Sequence, residues 1–173
     1  MIRNILTAPN PQLRKKSQSV TAFDISLENL VIDLTETLDA QTNPPGLGLS
    51  APQIGVLKRV FVARVRNKIK GFINPVIRKF SKKEIAYLEG CFSVPFLYGH
   101  VMRPAEIELE SQEITGKKNI KAYKGLPARI IQHEVDHLDG TLFTDHIHDQ
   151  NGKLFRVEKD KKGKENLIEV TTV

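Results

Sequence analysis

Between residues 27 and 41 the apolar positions Leu27, Leu30, Val31, Leu34 and Leu38 recur at helical spacing, so this stretch is expected to be an amphipathic helix. Asn43-Pro44-Pro45-Gly46 ends it sharply. Residues 59–65 alternate around Val60 and Val62 and read as a strand; 70–77 read as another, turning near Asn74-Pro75. Shorter strands are expected at 85–88, 106–110 and 119–123. A second helix spans about 127–139, with a proline in its first turn and Gly140 just past its end. Residues 154–158 and 167–172 flank the turn-rich 159–166 and read as a terminal β-hairpin. No repeat or linker interrupts the chain. The expected architecture is a single α+β domain over 1–173: mostly antiparallel strands around a central helix, one further N-terminal helix and a C-terminal β-hairpin.

The chain of 173 residues has 40% hydrophobic and 27% charged residues, which excludes a disordered or collagen-like protein. No run approaches the ~20 apolar residues of a membrane span, so no membrane partner is expected. The first 23 residues lack acids and carry Arg3, Arg14, Lys15 and Lys16, as transit peptides do, but Pro9 and Pro11 interrupt any continuous helix there. A cytoplasmic protein is the expectation.

The net charge of +6 is unevenly spread. No acid falls between Asp39 and Glu84, while Lys58, Arg59, Arg64, Arg66, Lys68, Lys70, Arg78, Lys79, Lys82 and Lys83 supply ten positive charges. Such a block suits an acidic surface, and equally a solvated strand face. Its aromatic residues are few (Phe61, Phe72 and Phe80) and none is tyrosine or tryptophan, so no specific nucleic-acid partner is expected.

His133-Glu134-Val135-Asp136-His137 is an H-E-x-x-H sequence inside the second helix. Positions four apart share a helix face, so both imidazoles can reach one ion, and Glu134 can serve as general base toward water at that ion. Taken alone, the pattern also fits a hydrated helix face. Two histidines leave a metal under-coordinated, and Cys91, the only cysteine, is a candidate third ligand. A lone cysteine can equally be a small buried hydrophobe. Gly46-Leu47-Gly48-Leu49-Ser50 is no dinucleotide fingerprint, since no strand precedes it and the third glycine is missing.

Three segments, Gly46-Leu47-Gly48-Leu49-Ser50-Ala51-Pro52-Gln53, Glu89-Gly90-Cys91-Phe92-Ser93 and Gln132-His133-Glu134-Val135-Asp136-His137, stand in the order and spacing of the peptide deformylase motifs. Pro11-Gln12-Leu13-Arg14 and Phe72-Ile73-Asn74-Pro75 extend the resemblance, which covers roughly residues 4–145. It implies a metal-dependent hydrolase that removes the N-formyl group from the formylmethionine of new polypeptides and releases formate. Cys91, His133 and His137 would hold one divalent ion: ferrous iron first, with nickel, cobalt or zinc also accommodated. Glu134 would be the general base, with the Gln53 amide and the Phe92 backbone N–H as oxyanion donors. Leu47, Gly48, Leu49, Gly90, Leu126 and Ile130 would contact the substrate. Glu89 and Asp136 would brace ligands or turns. The partners implied are N-formylmethionyl peptides and nascent chains.

Two departures from the family pattern, Ser50 for alanine and Phe92 for leucine, are expected to bear on substrate preference. The tail lacks the long helix by which many members are proposed to dock on the ribosome, so any ribosome association is expected to be weak, salt-sensitive and carried by the basic block. An ordinary metallopeptidase shares H-E-x-x-H, but usually takes a downstream histidine or glutamate, and His146 and His148 do not stand at that spacing. A deformylase-like domain with redirected activity is the other alternative.

Overall fold

The computed structural model describes residues 1–66, 68–159 and 165–170. Helix α1 (Ile25–Asp39) starts where the Asp24 carboxylate accepts from the backbone N–H groups of Ser26 and Leu27, and it buries Leu27, Leu30, Leu34 and Leu38. That is the stripe its periodicity predicts; the helix itself begins two residues earlier than expected because the cap lies at Asp24. Strands β1 (Gly48–Ser50), β2 (Val60–Val65), β3 (Lys68–Phe80), β6 (Glu106–Gln112) and β7 (Lys118–Lys124) form an antiparallel sheet in the order β1-β2-β3-β6-β7. Strands β4 (Glu84–Cys91), β5 (Val94–Pro104), β8 (Leu154–Lys159) and β9 (Glu165–Val170) form a second antiparallel sheet in the order β4-β5-β8-β9. The two strands of the terminal hairpin are therefore present and extend the second sheet; the expected turn between them falls at residues 160–164, which, like 171–173, lie outside the described residues.

Helix α2 (Leu126–Leu138) carries the H-E-x-x-H run. Pro127 in its first turn needs no intrahelical donor partner, and Gly140 follows with φ +77°. A Cβ at Gly140 would lie 2.5 Å from the Arg14 carbonyl oxygen, so glycine meets both the backbone conformation and the close approach. Ala128, Ile130, Ile131 and Leu138 pack with Phe61, Phe72, Ile107 and Leu109 of the five-stranded sheet, while α1 covers Leu49, Val60, Val62 and Ile73. The two apolar clusters hold β1 and α2 in fixed relation, which is what builds the site.

Three elements escape the sequence pattern. Strand β1 lies inside a glycine-rich segment and is only three residues long. Strand β5 contains Pro95, Gly99 and Pro104, and its buried face carries Arg103 where an alternating pattern calls for an apolar side chain. Helix α3 (Phe143–Asp149) is seven residues long and announces itself only through Phe143 and Ile147, which pack on Val94 and Val101. The basic block is not one positive field. Arg59 pairs with Asp139, Arg64 with Asp39, Arg78 with Glu110 and Lys79 with Glu108, all acids from outside the block. Among the described residues no helix is long and apolar enough to cross a membrane.

Candidate metal centre

One helical turn on α2 brings His133 and His137 together, with ring centroids 5.0 Å apart. Cys91 arrives from the end of β4, where a register shift after Gly90 turns the strand tightly toward Val94. Its Sγ lies 3.2 Å from His137 Nε2, and ligand atoms of Cys91, His133 and His137 all lie within 4.8 Å of one another. Among the described residues this is the group of His, Cys, Asp and Glu side chains that could hold a metal ion.

The surroundings favour negative charge on Cys91 and positive charge between its sulfur and Glu89. Burial pushes the Cys91 thiol up, but the adjacent His137 and His133 rings outweigh it and hold the thiol well below its usual range. Burial also disfavours a proton on His133, and here the Cys91 sulfur and the Glu89 carboxylate outweigh it. His133 Nδ1 lies 2.9 Å from Glu89 Oε2, which directs Nε2 toward the sulfur side. His137 likewise presents Nε2 to Cys91, while its Nδ1 is buried without a hydrogen-bond partner. A soft sulfur, two nitrogens converging at close range and no fourth His, Cys, Asp or Glu ligand among the described residues fit a divalent cation with an open position.

Behind His133 stands a buried ionic cluster. Glu89 accepts from Arg103 Nε at 2.7 Å and Nη2 at 3.0 Å, and from Arg129 Nη1 at 2.8 Å. Arg103 Nη1 also donates to Asp136 Oδ2 at 2.6 Å, which lies 2.8 Å from His146 Nε2. Burial alone would raise the Glu89 pKa, but His133 and Arg103 hold the carboxyl far below its usual range. Glu89 thus orients a histidine as expected, and Asp136 belongs to the cluster rather than to a bare helix surface. Neither arginine was anticipated. Arg129 stands four residues before His133 on the same helix, a charge on a face already committed to chemistry, which was the available signal.

Glu134 is buried, and burial raises its pKa, against the pull of His133 and His137. A carboxylate so placed is suited to take up and return a proton. Gln53 is held at both ends of its amide: Oε1 accepts from Ser50 N at 2.8 Å, and Nε2 donates to Ser93 Oγ at 3.1 Å and lies 3.5 Å from Cys91 Sγ. Its donor therefore faces the cluster of ligands.

A cavity of about 460 Å³ opens on these groups, lined among others by Leu47, Gly48, Gly90, Phe92, Leu126 and Ile130. Leu49 is the exception among the expected substrate contacts. It is fully buried in the apolar cluster beneath α1, because successive side chains on β1 point to opposite faces. Ser50 is not among the cavity-lining residues either; its hydroxyl is bonded to Glu134. Tyr87, Phe96 and Arg129 do line the cavity and carry no motif signal.

A family model described as polypeptide deformylase matches residues 2–153. A peptide deformylase of Zymomonas mobilis is 40% identical over 152 residues, covering 83% of this chain and 84% of the relative. Peptide deformylase 1B, chloroplastic/mitochondrial, of Arabidopsis thaliana is 38% identical over 151 residues, covering 84% of this chain and 54% of the relative, so the chain spans about half that protein's length. The crystal structure of peptide deformylase from Thermotoga maritima superposes with a TM-score of 0.80 at 34% identity, covering 84% of this chain and 97% of that one.

Proposed function

The chain belongs to the polypeptide deformylase family and is a peptide deformylase, and on that premise we propose that its own residues divide the removal of an N-terminal formyl group as follows. The observation that carries the reading is the convergence of Cys91, His133 and His137 within 4.8 Å, beside a buried Glu134, at the floor of an open cavity. These three side chains would hold one divalent ion, with ferrous iron as our first choice and nickel, cobalt or zinc as alternatives. When bound, such an ion supplies a Lewis acid and a water whose pKa lies near ~7.

The protein's residues do the remaining work. The Glu134 carboxylate takes the proton of the attacking water and delivers it to the amine as formate leaves. Gln53 Nε2 and the Phe92 backbone N–H would stabilise negative charge developing on the formyl oxygen, each worth ~10²–10³ in rate. Leu47, Gly48 and Gly90 border the path of the peptide, while Leu126 and Ile130 form an apolar wall suited to the methionine side chain. Gly48 admits close backbone approach, so the peptide would lie extended alongside β1. The substrate is accordingly an N-formylmethionyl peptide or nascent chain, met in the cytoplasm.

The test is formate release from formyl-Met-Ala-Ser by anaerobically purified protein supplied with iron or nickel, with Glu134→Gln run alongside. Turnover by the wild type, with a loss of at least ~10² in the variant at equal metal content, is expected. Equal turnover by the two proteins would overturn the assignment of the base.

A further inference from the structure

Ser50 is fully buried, with 0% of its surface exposed, and its hydroxyl lies 2.6 Å from Glu134 Oε2 and 3.0 Å from the Glu134 carbonyl oxygen. A hydroxyl has one proton to donate, and the shorter contact, to a carboxylate, is the charge-assisted one. Two residues earlier on the same face of β1, Gly48 meets the other carboxylate oxygen: a Cβ there would fall 2.3 Å from Glu134 Oε1. The carboxylate is thus bonded at one oxygen and packed against bare backbone at the other. The strand that grips it is pinned to β2 through the pairs Gly48–Ala63, Leu49–Val62 and Ser50–Phe61, and it is anchored from beneath by Leu49.

We propose that Ser50 is a positioning residue for the reaction, whose hydroxyl holds Glu134 by Oε2 and so keeps Oε1 on the cavity side, against Gly48. This rests on the assignment of Glu134 as the base under Proposed function. It revises the expectation that Ser50 bears on substrate preference, since the side chain touches the base and not the cavity. Such a restraint favours the chemistry. Glu134 must accept a proton on one side of the reacting centre and release it to the amine on another, and a carboxylate free to rotate among rotamers would meet both positions less often. The fold supplies it from β1 because α2 crosses that strand with Glu134 on the facing side, whereas the ligand histidines face β4.

Ser50→Ala and Ser50→Thr separate this role from plain packing. Alanine removes one buried oxygen and leaves the strand intact; threonine restores the hydroxyl. On formyl-Met-Ala-Ser, Ser50→Ala is expected to lose about tenfold in kcat with KM within twofold and metal content unchanged, and Ser50→Thr to regain most of the loss. Crystal structures of wild type and Ser50→Ala give a readout independent of turnover: the Glu134 carboxylate should rotate or occupy two positions once Ser50 Oγ is gone. An unchanged kcat, a rise in KM alone, or a Glu134 side chain that stays in place would overturn the proposal while leaving the deformylase reading intact. Absence of wild-type turnover would instead count against that reading, and the two crystal structures would still decide whether Ser50 holds Glu134.

Discussion

Two sets of charges in this molecule use the same side chains under opposite conditions. Behind the metal centre Glu89 and Arg103, each 5% exposed, join Arg129 and Asp136 in a cluster of two acids and two arginines. On the outer face of the five-stranded sheet, Lys79 pairs with Glu108 at side-chain exposures of 74% and 33%, and Arg78 pairs with Glu110. The outer pairs can exchange their partner for water at little cost, so they add little. The inner cluster cannot, because each member stripped of its partner would be left charged in a poorly solvated interior. The inner charges therefore contribute less to net stability than to geometry: they make one orientation of the His133 ring far better than any other.

Substituting Glu89 breaks this contrast most severely. Glu89→Ala would leave Arg129 with no carboxylate partner among the described residues and Arg103 with Asp136 alone, and would release His133 Nδ1, with an expected cost of about 3–5 kcal/mol by urea unfolding. Competition with a chelator should also show metal affinity lower by ~10–100-fold. A loss below about 1 kcal/mol would mean that water reaches the cluster freely.

An intermediate case sharpens the comparison. Arg14 and Asp145 form a two-point pair at 2.5 and 3.0 Å with side chains 49% and 35% exposed. Partial burial pushes the Asp145 carboxyl up, but Arg14 and the Leu142 N–H outweigh it and hold the pKa below its usual value. A carboxyl whose pKa is lower folded than unfolded adds stability above the unfolded value near ~3.9, and that stability is lost as pH falls through the folded value. Arg14→Ala is expected to cost about 0.5 kcal/mol at neutral pH, with the gap to wild type closing as pH falls through the lowered folded value of Asp145. A gap that persists there would point to lost packing instead of lost charge.

The smallest effect belongs to the sheet surface. Lys79→Ala should change stability by less than ~0.5 kcal/mol, and the difference should vanish at ~1 M salt, where screening acts over ~3 Å. A larger, salt-independent change would mean that the Lys79 stem, not its charge, matters.

The same contrast explains which parts of the site were visible beforehand. His133, Glu134 and His137 sit on one helical turn, so their relation is set by local geometry and follows from the 3.6-residue period. Cys91 was nameable as the only thiol and through its motif, but its 3.2 Å approach to His137 depends on how β4 meets α2. Arg103 was opaque and Arg129 legible only through its helical spacing from His133, since a buried arginine reads as a surface residue until its partner, Glu89 from another element, is in place. The side-chain directions of Leu49 and Ser50 were opaque for a related reason: only pairing with β2 decides that Leu49 faces the core and Ser50 faces Glu134.

By itself the sequence determined the α+β class, the two long helices with their apolar faces, the terminal hairpin, the metal-ligating residue types and the family resemblance. All of these are carried by local periodicity or by short motifs. The tertiary structure alone decided that ten clustered positive charges are partly neutralised by distant acids, that two arginines lie buried behind His133, and that a serine hydroxyl grips Glu134. Each depends on groups far apart in the chain meeting at hydrogen-bond distance, and that distance is set by the packing of α1 and α2 against the sheet, which no local pattern encodes.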